Sequence, residues 1–275
     1  MAKPLRVLVV TGGHPFEAEP FFAVFDADDG IDWTHVEQPE ARHWFHPDRA
    51  GAFDVICCYD MPGITFTGSD PPVLFELPDA ELVAGVEEMF EGGQGLVSMH
   101  HNIAGWPAWD GWAEIVGGRF HYQPARLRGR AWPDSGYVHH VTHTVEVLDP
   151  GHPISAGLGD SFEITDELYL FPIFESHVVP LFRSDFSFTD EHFFSADRAI
   201  RGARNARGGW SHPAGSPLVG WVKHAGRSPV AYLQFGDSPV TYADRNFRRA
   251  LANALRWAAS DDAHRWAQAR RDSQR

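Results

Sequence analysis

The chain has 275 residues, a length at which an α/β fold often closes around one core, so we expect residues 1–260 to form a single domain. Its 37 Asp and Glu residues outnumber its 23 Lys and Arg residues, and the net charge of −14 argues against a nucleic acid partner because it repels phosphate backbones. The apolar run near the N-terminus is too short to span a membrane, and the two cysteines, Cys57 and Cys58, are adjacent, so we expect a cytoplasmic protein without a disulfide framework.

Short apolar runs, each followed by a turn, predict four strands in the first hundred residues. These strands cover residues 5–10, 31–36, 53–59 and 95–99. Continuous apolar sequence of this kind is typical of strands that are buried on both faces of a sheet. Amphipathic helices are predicted between the strands, at residues 21–25 and from about 78 to 93. The alternation predicts an α/β fold with a mainly parallel sheet and helices on both faces.

After residue 118 this alternation is lost, and the sequence predicts C-terminal β excursions from the sheet. We expect a strand-like segment at residues 144–148, a long surface excursion at 182–216, a hairpin of residues 218–222 and 230–234, and a closing helix at 247–258. Residues 261–275 are charged and are expected to form a polar tail that frays.

Polar side chains follow the ends of three predicted strands. His14 follows the first strand, Asp60 the third and His100 the fourth. In open α/β sheets, ligands bind outside the carboxyl ends of the strands. We therefore expect these three residues to be neighbours at one site.

Seven short segments, spread from residue 5 to about residue 259, form an ordered pattern. They are Val10-Thr11-Gly12-Gly13-His14-Pro15-Phe16, Tyr59-Asp60-Met61-Pro62-Gly63, Gly95-Leu96-Val97-Ser98-Met99-His100-His101, Gly117-Gly118-Arg119-Phe120, His152-Pro153-Ile154, Asp166-Glu167-Leu168-Tyr169 and Arg256-Trp257-Ala258. Together they resemble the ThuA-like (trehalose-utilisation) family. The resemblance implies a flavodoxin-like sheet of the class I glutamine amidotransferase-like kind, and an association with the use of disaccharides and keto-sugars.

Two positions depart from what the resemblance implies. Glutaminases of this fold carry a nucleophilic cysteine at the strand-to-helix elbow, whereas Met99 and His100 stand there and both cysteines lie on the third strand. We therefore expect that the protein is not a glutaminase. Many members of the family have a Gly-His pair after the last strand, whereas this chain has Gly236-Asp237. Any role that this histidine has in those members is not filled by a histidine at the same position of this chain.

Three histidines are candidates for the catalytic groups. At a strand-to-helix turn the helix dipole disfavours an imidazolium, so we expect a neutral His100 ring that acts as a general base or a metal ligand. His101 is a second candidate, although adjacent side chains usually point apart, and a structural role at the start of a helix is the alternative for both. His14 follows two glycines, of which Gly13 would let the backbone approach a substrate, and an ordinary loop is the alternative.

Carboxylates and indoles complete the predicted site. Asp60 would orient a histidine, bind a sugar hydroxyl or coordinate a metal, and a turn is the alternative. Glu167 would be the carboxylate partner of a histidine, although a helix N-terminus also explains an acidic residue. Trp106, Trp109 and Trp112 are expected to line the pocket with flat apolar surface, with core packing as the alternative.

Histidines at positions 139, 140 and 143 suggest a metal site, because imidazoles are common zinc ligands. If the segment is extended, His139 and His143 share one face and His140 points away. The sequence favours the alternative, which is a solvated polar edge of a strand.

The leading hypothesis is an enzyme that acts on a small sugar, keto-sugar or glycoside derivative by His-mediated acid/base chemistry. One alternative is a non-catalytic sugar- or partner-binding module. Another is a metal-dependent hydrolase that uses His14, His100 and Asp60 around a divalent ion. We expect a small carbohydrate as ligand and neither an organic cofactor nor a membrane partner. A divalent metal and a homo-oligomer are left open.

Overall fold

The structure is a computed structural model that describes residues 3–273. Its strands are β1 (Leu5–Gly12), β2 (Ile31–Glu37), β3 (Val55–Asp60), β4 (Ile64–Phe66), β5 (Val73–Phe75), β6 (Gly95–Met99), β7 (Ala125–Leu127), β8 (Arg130–Trp132), β9 (Gly136–Val147), β10 (Ser161–Leu170), β11 (Val179–Ser184), β12 (Phe194–Ser195), β13 (Leu218–Ala225) and β14 (Ser228–Leu233). Its α-helices are α1 (Ala18–Asp26), α2 (Pro47–Ala50), α3 (Ala80–Glu91), α4 (Asp110–Val116), α5 (Ala196–Ile200), α6 (Pro239–Ala243), α7 (Arg245–Ala258) and α8 (Asp261–Ser273).

Five parallel strands form one half of the central sheet, in the order β2-β1-β3-β6-β14. Counted along the chain, this is the strand order 2-1-3-4-5 of flavodoxin-like folds. The inner strands are apolar throughout because both of their faces are covered, and all six residues of β3 are buried. The predicted fold class is confirmed, and the strand ends that were expected to carry the site lie along one edge of the sheet.

The other half of the sheet is antiparallel and extends from β14 in the order β14-β13-β11-β9-β10, with β12 paired to β9. The predicted hairpin is present as β13 and β14. The prediction of a surface excursion at residues 182–216 is wrong in part, because this segment contributes β12 and α5 and buries Phe188 and Phe193.

Helices cover both faces of the parallel half. Apolar side chains of α1, α7 and α8 pack in the core on one face, and those of α2, α3 and α4 pack on the other. The prediction of a fraying tail after residue 260 is wrong, because α8 packs against β13 and β14 and buries Ala263 and Ala267. Within residues 3–273 there is no helix both long and apolar enough to cross a membrane.

Strand β6 places its carboxyl end at the candidate site and is held closely against α7. A Cβ added to Gly95, the first residue of β6, would overlap the carbonyl oxygen of Ala258 at the end of α7. Only a residue without a side chain therefore allows this contact between the strand and the helix.

We predict that Gly95→Ala lowers the free energy of unfolding by about 1–3 kcal/mol, because the added methyl group forces β6 and α7 apart. Urea unfolding followed by circular dichroism measures the change. Gly208→Ala is the control, since no described atom lies within 4 Å of a Cβ added there. Equal stability of the two variants would contradict the packing argument.

Candidate active site

His100 stands directly after β6 with a positive φ of 47°, a strained conformation for a residue with a side chain. Its side chain is fully buried. Its Nδ1 lies 2.7 Å from the carbonyl oxygen of Gln234, so Nδ1–H donates to that carbonyl. The Tyr232 hydroxyl donates to the backbone carbonyl of His100 at 3.0 Å. Ring and backbone are therefore both anchored to β14 and the residue that follows it.

The Nε2 atom of His100 faces two carboxylates and a phenol. It lies 3.2 Å from Glu167 Oε2, 3.8 Å from Asp237 Oδ1 and 2.7 Å from the Tyr169 hydroxyl oxygen. Glu167 and Tyr169 come from β10, in the antiparallel half of the sheet, and Asp237 follows β14. Three potential ligand atoms, one each from His100, Glu167 and Asp237, all lie within 4.8 Å of one another. These three residues could therefore hold a metal ion.

Charges within this group set the protonation of His100. Burial would lower its pKa, but hydrogen bonds to Asp237 and Glu167 outweigh that effect and raise the pKa to about 10. Burial would raise the pKa of Asp237, but the hydrogen bond from His100 and the charge of His100 outweigh burial and lower the pKa of this carboxyl. The expectation of a neutral His100 is therefore wrong, because two carboxylates, and not a helix dipole, dominate its surroundings.

Asp166 is a buried carboxylate that positions the loop after β14. It accepts hydrogen bonds from the backbone N–H groups of Gly236 at 2.8 Å and Asp237 at 3.0 Å, and from the Thr241 hydroxyl at 2.9 Å. Burial raises its pKa to about 6, against the opposing effect of these donors and of His100. The adjacent residues Asp166 and Glu167 therefore have different tasks, since the first holds the loop and the second faces His100.

His14 and His101 form a second histidine pair beside the first group. Their rings stack with centroids 4.6 Å apart, and His101 Nε2–H donates to the Tyr59 carbonyl oxygen at 3.0 Å. Burial lowers the pKa of both rings, and the charge of His100 lowers them further. His14 also senses the charges of Glu167 and Asp237. The structure thus brings together four of the five predicted catalytic residues.

Asp60 is the predicted catalytic residue that lies apart. Its carboxylate is buried and accepts hydrogen bonds of 2.8 Å from the side-chain amides of Gln38 and Asn102. Asn102 in turn accepts a hydrogen bond from the Ser98 hydroxyl at 2.6 Å. Burial raises the pKa of Asp60 to about 7. Asp60 therefore anchors the turn that follows His100 and His101, and its carboxylate makes no ion pair with them in the described chain.

The predicted substrate-binding residues are explained largely by packing. Trp106 and Trp112 are buried in the apolar core, so their ring surfaces are already covered, and Trp109 is partly buried against the same core. Gly13 has a φ of 82°, and a Cβ there would meet the backbone of Met61. The alternative of core packing accounts for Trp106 and Trp112, and contact with Met61 accounts for the glycine.

A β-bulge redirects the histidines of β9. His139 and His140 both stand opposite Glu167, since Val141 pairs with Asp166 and Val138 with Leu168. His140 has a φ of 55°. His139 Nδ1 lies 3.0 Å from Glu167 Oε1, whereas His143 is buried and its Nδ1 lies 2.8 Å from the Ser184 hydroxyl.

The bulge corrects one expectation about this segment. His139 and His143 do not share a partner or a face, because the extra residue breaks the alternation of side chains. Between residues 138 and 143, β9 pairs with β10 alone, because β11 pairs only with residues 145–147 and β12 only with residues 136 and 137. His140 is exposed and fits the alternative of a polar strand edge, whereas His143 is buried.

A surface hollow of about 460 Å³ adjoins the group on the side of His139. Its lining residues are His139, His140, Phe194, Arg204 and Asn205. Arg204 makes no hydrogen bond or ion pair with any residue in the described part of the chain. The hollow therefore offers a free guanidinium close to the His139–Glu167 contact.

The sequence patterns did not select Asp237 or Tyr169 for the site, and they grouped His139 with His143 and not with Glu167. Asp237 was noticed only as a departure from Gly-His, although its place after the last parallel strand is the same signal that selected His14 and His100. Tyr169 and His139 lie in the antiparallel half of the sheet, and the rule that ligands bind at the carboxyl ends of strands applies only to the parallel half. Cys57 and Cys58 are buried in β3, and burial raises the pKa of both thiols, which disfavours the thiolate form that a nucleophile needs.

Comparisons with known proteins show the family and the fold of the chain. The ThuA family, described as trehalose utilisation, matches residues 6–258. A comparison with curated protein sequences gives no match. Among solved structures, a ThuA-like protein of Parabacteroides merdae is similar with a TM-score of 0.64 and 14% identity, over 94% of this chain and 91% of that one.

Two further structures are similar over almost their whole length. A ThuA-like protein of Bacteroides uniformis has a TM-score of 0.59 and 17% identity, over 95% of this chain and 94% of that one. PurLQS of Thermotoga maritima has a TM-score of 0.50 and 11% identity, over 93% and 99%. At these identities the likeness shows the fold alone, which is an α/β sheet with helices on both faces.

We predict that Asp60 makes stability depend on pH. Because its pKa is higher in the folded chain than its ordinary value of 3.8, the unfolded state loses this proton first, and the free energy of unfolding falls as pH rises from about 4 to about 7. In Asp60→Asn this fall should be smaller by about 1–4 kcal/mol, since one pKa unit corresponds to about 1.4 kcal/mol.

Urea unfolding at several pH values measures this difference. The control is Asp32→Asn, which removes one negative charge at an exposed position of β2. The same pH profile in Asp60→Asn as in the wild type would show that Asp60 is ionised in the folded state.

Proposed function

Because the chain belongs to the ThuA family, whose description is trehalose utilisation, we propose that it is an enzyme acting on a small sugar, keto-sugar or glycoside derivative by acid/base chemistry. The observation that carries the proposal is the convergence of His100, Glu167 and Asp237 at the carboxyl ends of the parallel strands. A buried imidazole and two carboxylates are costly to assemble, and such groups concentrate at functional sites.

This group contains both partners that proton transfer needs. A carboxylate of Asp237 or Glu167 would remove a proton from a carbon next to a carbonyl group, while the N–H of His100 donates to the carbonyl oxygen as negative charge develops there. Return of the proton to the neighbouring carbon gives an isomer. Loss of a substituent from the next carbon gives eliminative cleavage instead, and both reactions suit a keto-sugar.

Asp237 and His139 are more exposed than the other members of the group. His100 is fully covered, whereas the side chains of Asp237 and His139 are 17% and 33% exposed. The hollow beside His139 is large enough for a sugar ring, and Arg204 and Asn205 offer hydrogen-bond donors to hydroxyl groups. A substrate seated there would contact His139, whose Nδ1 lies 3.0 Å from Glu167 Oε1, and would extend from His139 towards the carboxylates.

We predict that Glu167→Gln and Asp237→Asn each lower kcat/KM by about 10²–10⁴-fold, because each removes a carboxylate base while keeping its shape. Turnover of disaccharides and their 3-keto forms, followed by NMR of the reaction mixture, is the measurement. Glu163→Gln is the matched control, since Glu163 lies on the same strand and is exposed.

Two outcomes of this assay would count against the proposal. If both variants have the same kcat/KM as the wild type, then Glu167 and Asp237 do not take part in the reaction. Saturable binding of a disaccharide without turnover by the wild type would indicate a sugar-binding module instead.

We predict that Arg204→Ala raises KM about 10-fold and leaves kcat within about twofold, because Arg204 would hold the part of the substrate that does not react. Arg183→Ala, which removes an exposed arginine paired with Glu146 on the antiparallel sheet, is the control. A large fall in kcat with unchanged KM would place Arg204 in the chemistry rather than in binding.

A further inference from the structure

We propose that His100, Glu167 and Asp237 bind one divalent cation of the Zn²⁺ or Mn²⁺ class. Nε2 of His100 and one oxygen from each carboxylate would be its ligands. The inference rests on the proposed function and changes one part of it. With the ion bound, the cation and not the His100 N–H would stabilise the negative charge that develops on the substrate oxygen. It differs from the sequence hypothesis of a metal held by Asp60, which lies in another hydrogen-bond network.

The orientation of the His100 ring is that of a metal ligand. A metal-binding histidine almost always donates its other ring N–H to a carbonyl or carboxylate, which fixes the tautomer. Here Nδ1–H donates to the Gln234 carbonyl oxygen at 2.7 Å, and both atoms are buried. The Nε2 atom is consequently the one directed at Glu167 and Asp237.

The spacing of the three ligand atoms also fits. Two ligands about 2.1 Å from a tetrahedral ion lie about 3.4 Å from each other. The observed distances from Nε2 are 3.2 Å to Glu167 and 3.8 Å to Asp237. Three protein ligands leave a fourth position for water or a substrate oxygen, as in catalytic zinc sites.

Charge makes a cation at this place favourable. Within residues 3–273, the ion-pair partners of Glu167 and Asp237 are imidazoles alone. An imidazole can give up its proton, whereas a lysine or arginine would stay charged and compete with a metal. A divalent ion can therefore take the place of the proton that His100 shares with the two carboxylates.

Neighbouring groups would orient the ligands. His139 holds the second oxygen of Glu167 at 3.0 Å, and Asp166 holds the backbone of Asp237. The Tyr169 hydroxyl lies 2.7 Å from Nε2. With a metal bound to Nε2, this hydroxyl would donate its hydrogen bond to Glu167 instead. His14 lies close enough to sense all three charges.

Metal titration of the full chain tests the proposal. After dialysis against a chelator, Zn²⁺ binding is measured by isothermal titration calorimetry and Mn²⁺ binding by electron paramagnetic resonance. We expect one ion per chain. Glu167→Gln and Asp237→Asn should each weaken binding at least about 10-fold, and His139→Gln about 10-fold or more, as outer partners of metal ligands do. Glu163→Gln should bind as the wild type does.

The outcomes separate this inference from the proposed function. Absence of saturable binding, or equal binding by the double variant Glu167→Gln/Asp237→Asn, overturns the cation site. If metal-free protein then still turns over a sugar and the single variants do not, the acid/base enzyme stands without the cation. Stoichiometric binding that depends on both carboxylates supports the site even if no tested sugar reacts.

Discussion

The arrangement of the site depends on one buried interaction, the contact of His100 with Glu167 and Asp237. An imidazole without exposure to solvent is held between a backbone carbonyl on one side and two carboxylates on the other. Burying these charges is unfavourable unless each has a partner, so every element that delivers one of them must be placed accurately. That requirement links β6, β10 and the loop after β14, and it joins the parallel half of the sheet to the antiparallel half.

Two further buried carboxylates hold the segments that carry His100 and Asp237 in place. Asp166 uses its carboxylate to hold the loop that carries Asp237, and Asp60 holds the turn that follows His100 through Asn102. The positive φ of His100 places its side chain at the elbow where related folds carry a cysteine nucleophile. In the proposed function, an imidazole at this elbow takes part in proton transfer, whereas a thiol would act as a nucleophile.

Much of the fold and part of the site were predictable from the sequence, because burial on both faces produces continuous apolar strands and their ends locate ligands. His14 and His100 were found in this way. Asp60 shows the limit of locating a site by strand ends. The Tyr59 hydroxyl bonds to Gly236 and Tyr242 on one face of the sheet. The neighbouring Asp60 carboxylate bonds to Gln38 and Asn102 on the other face. A strand end thus gives a position along the sheet edge, but not a face. The bulge that turns His139 towards Glu167 depends on pairing with β10, which no local pattern reveals.

The protonation of the His100 ring is the most direct test of this account. Nitrogen-15 NMR of histidine-labelled, metal-free protein at neutral pH, with a His100→Gln variant to assign the signal, reports on both ring nitrogens. We predict that both ring nitrogens carry a proton, and that Glu167→Gln together with Asp237→Asn removes the proton from Nε2. A neutral ring in the wild type, unchanged by these substitutions, would contradict the central claim.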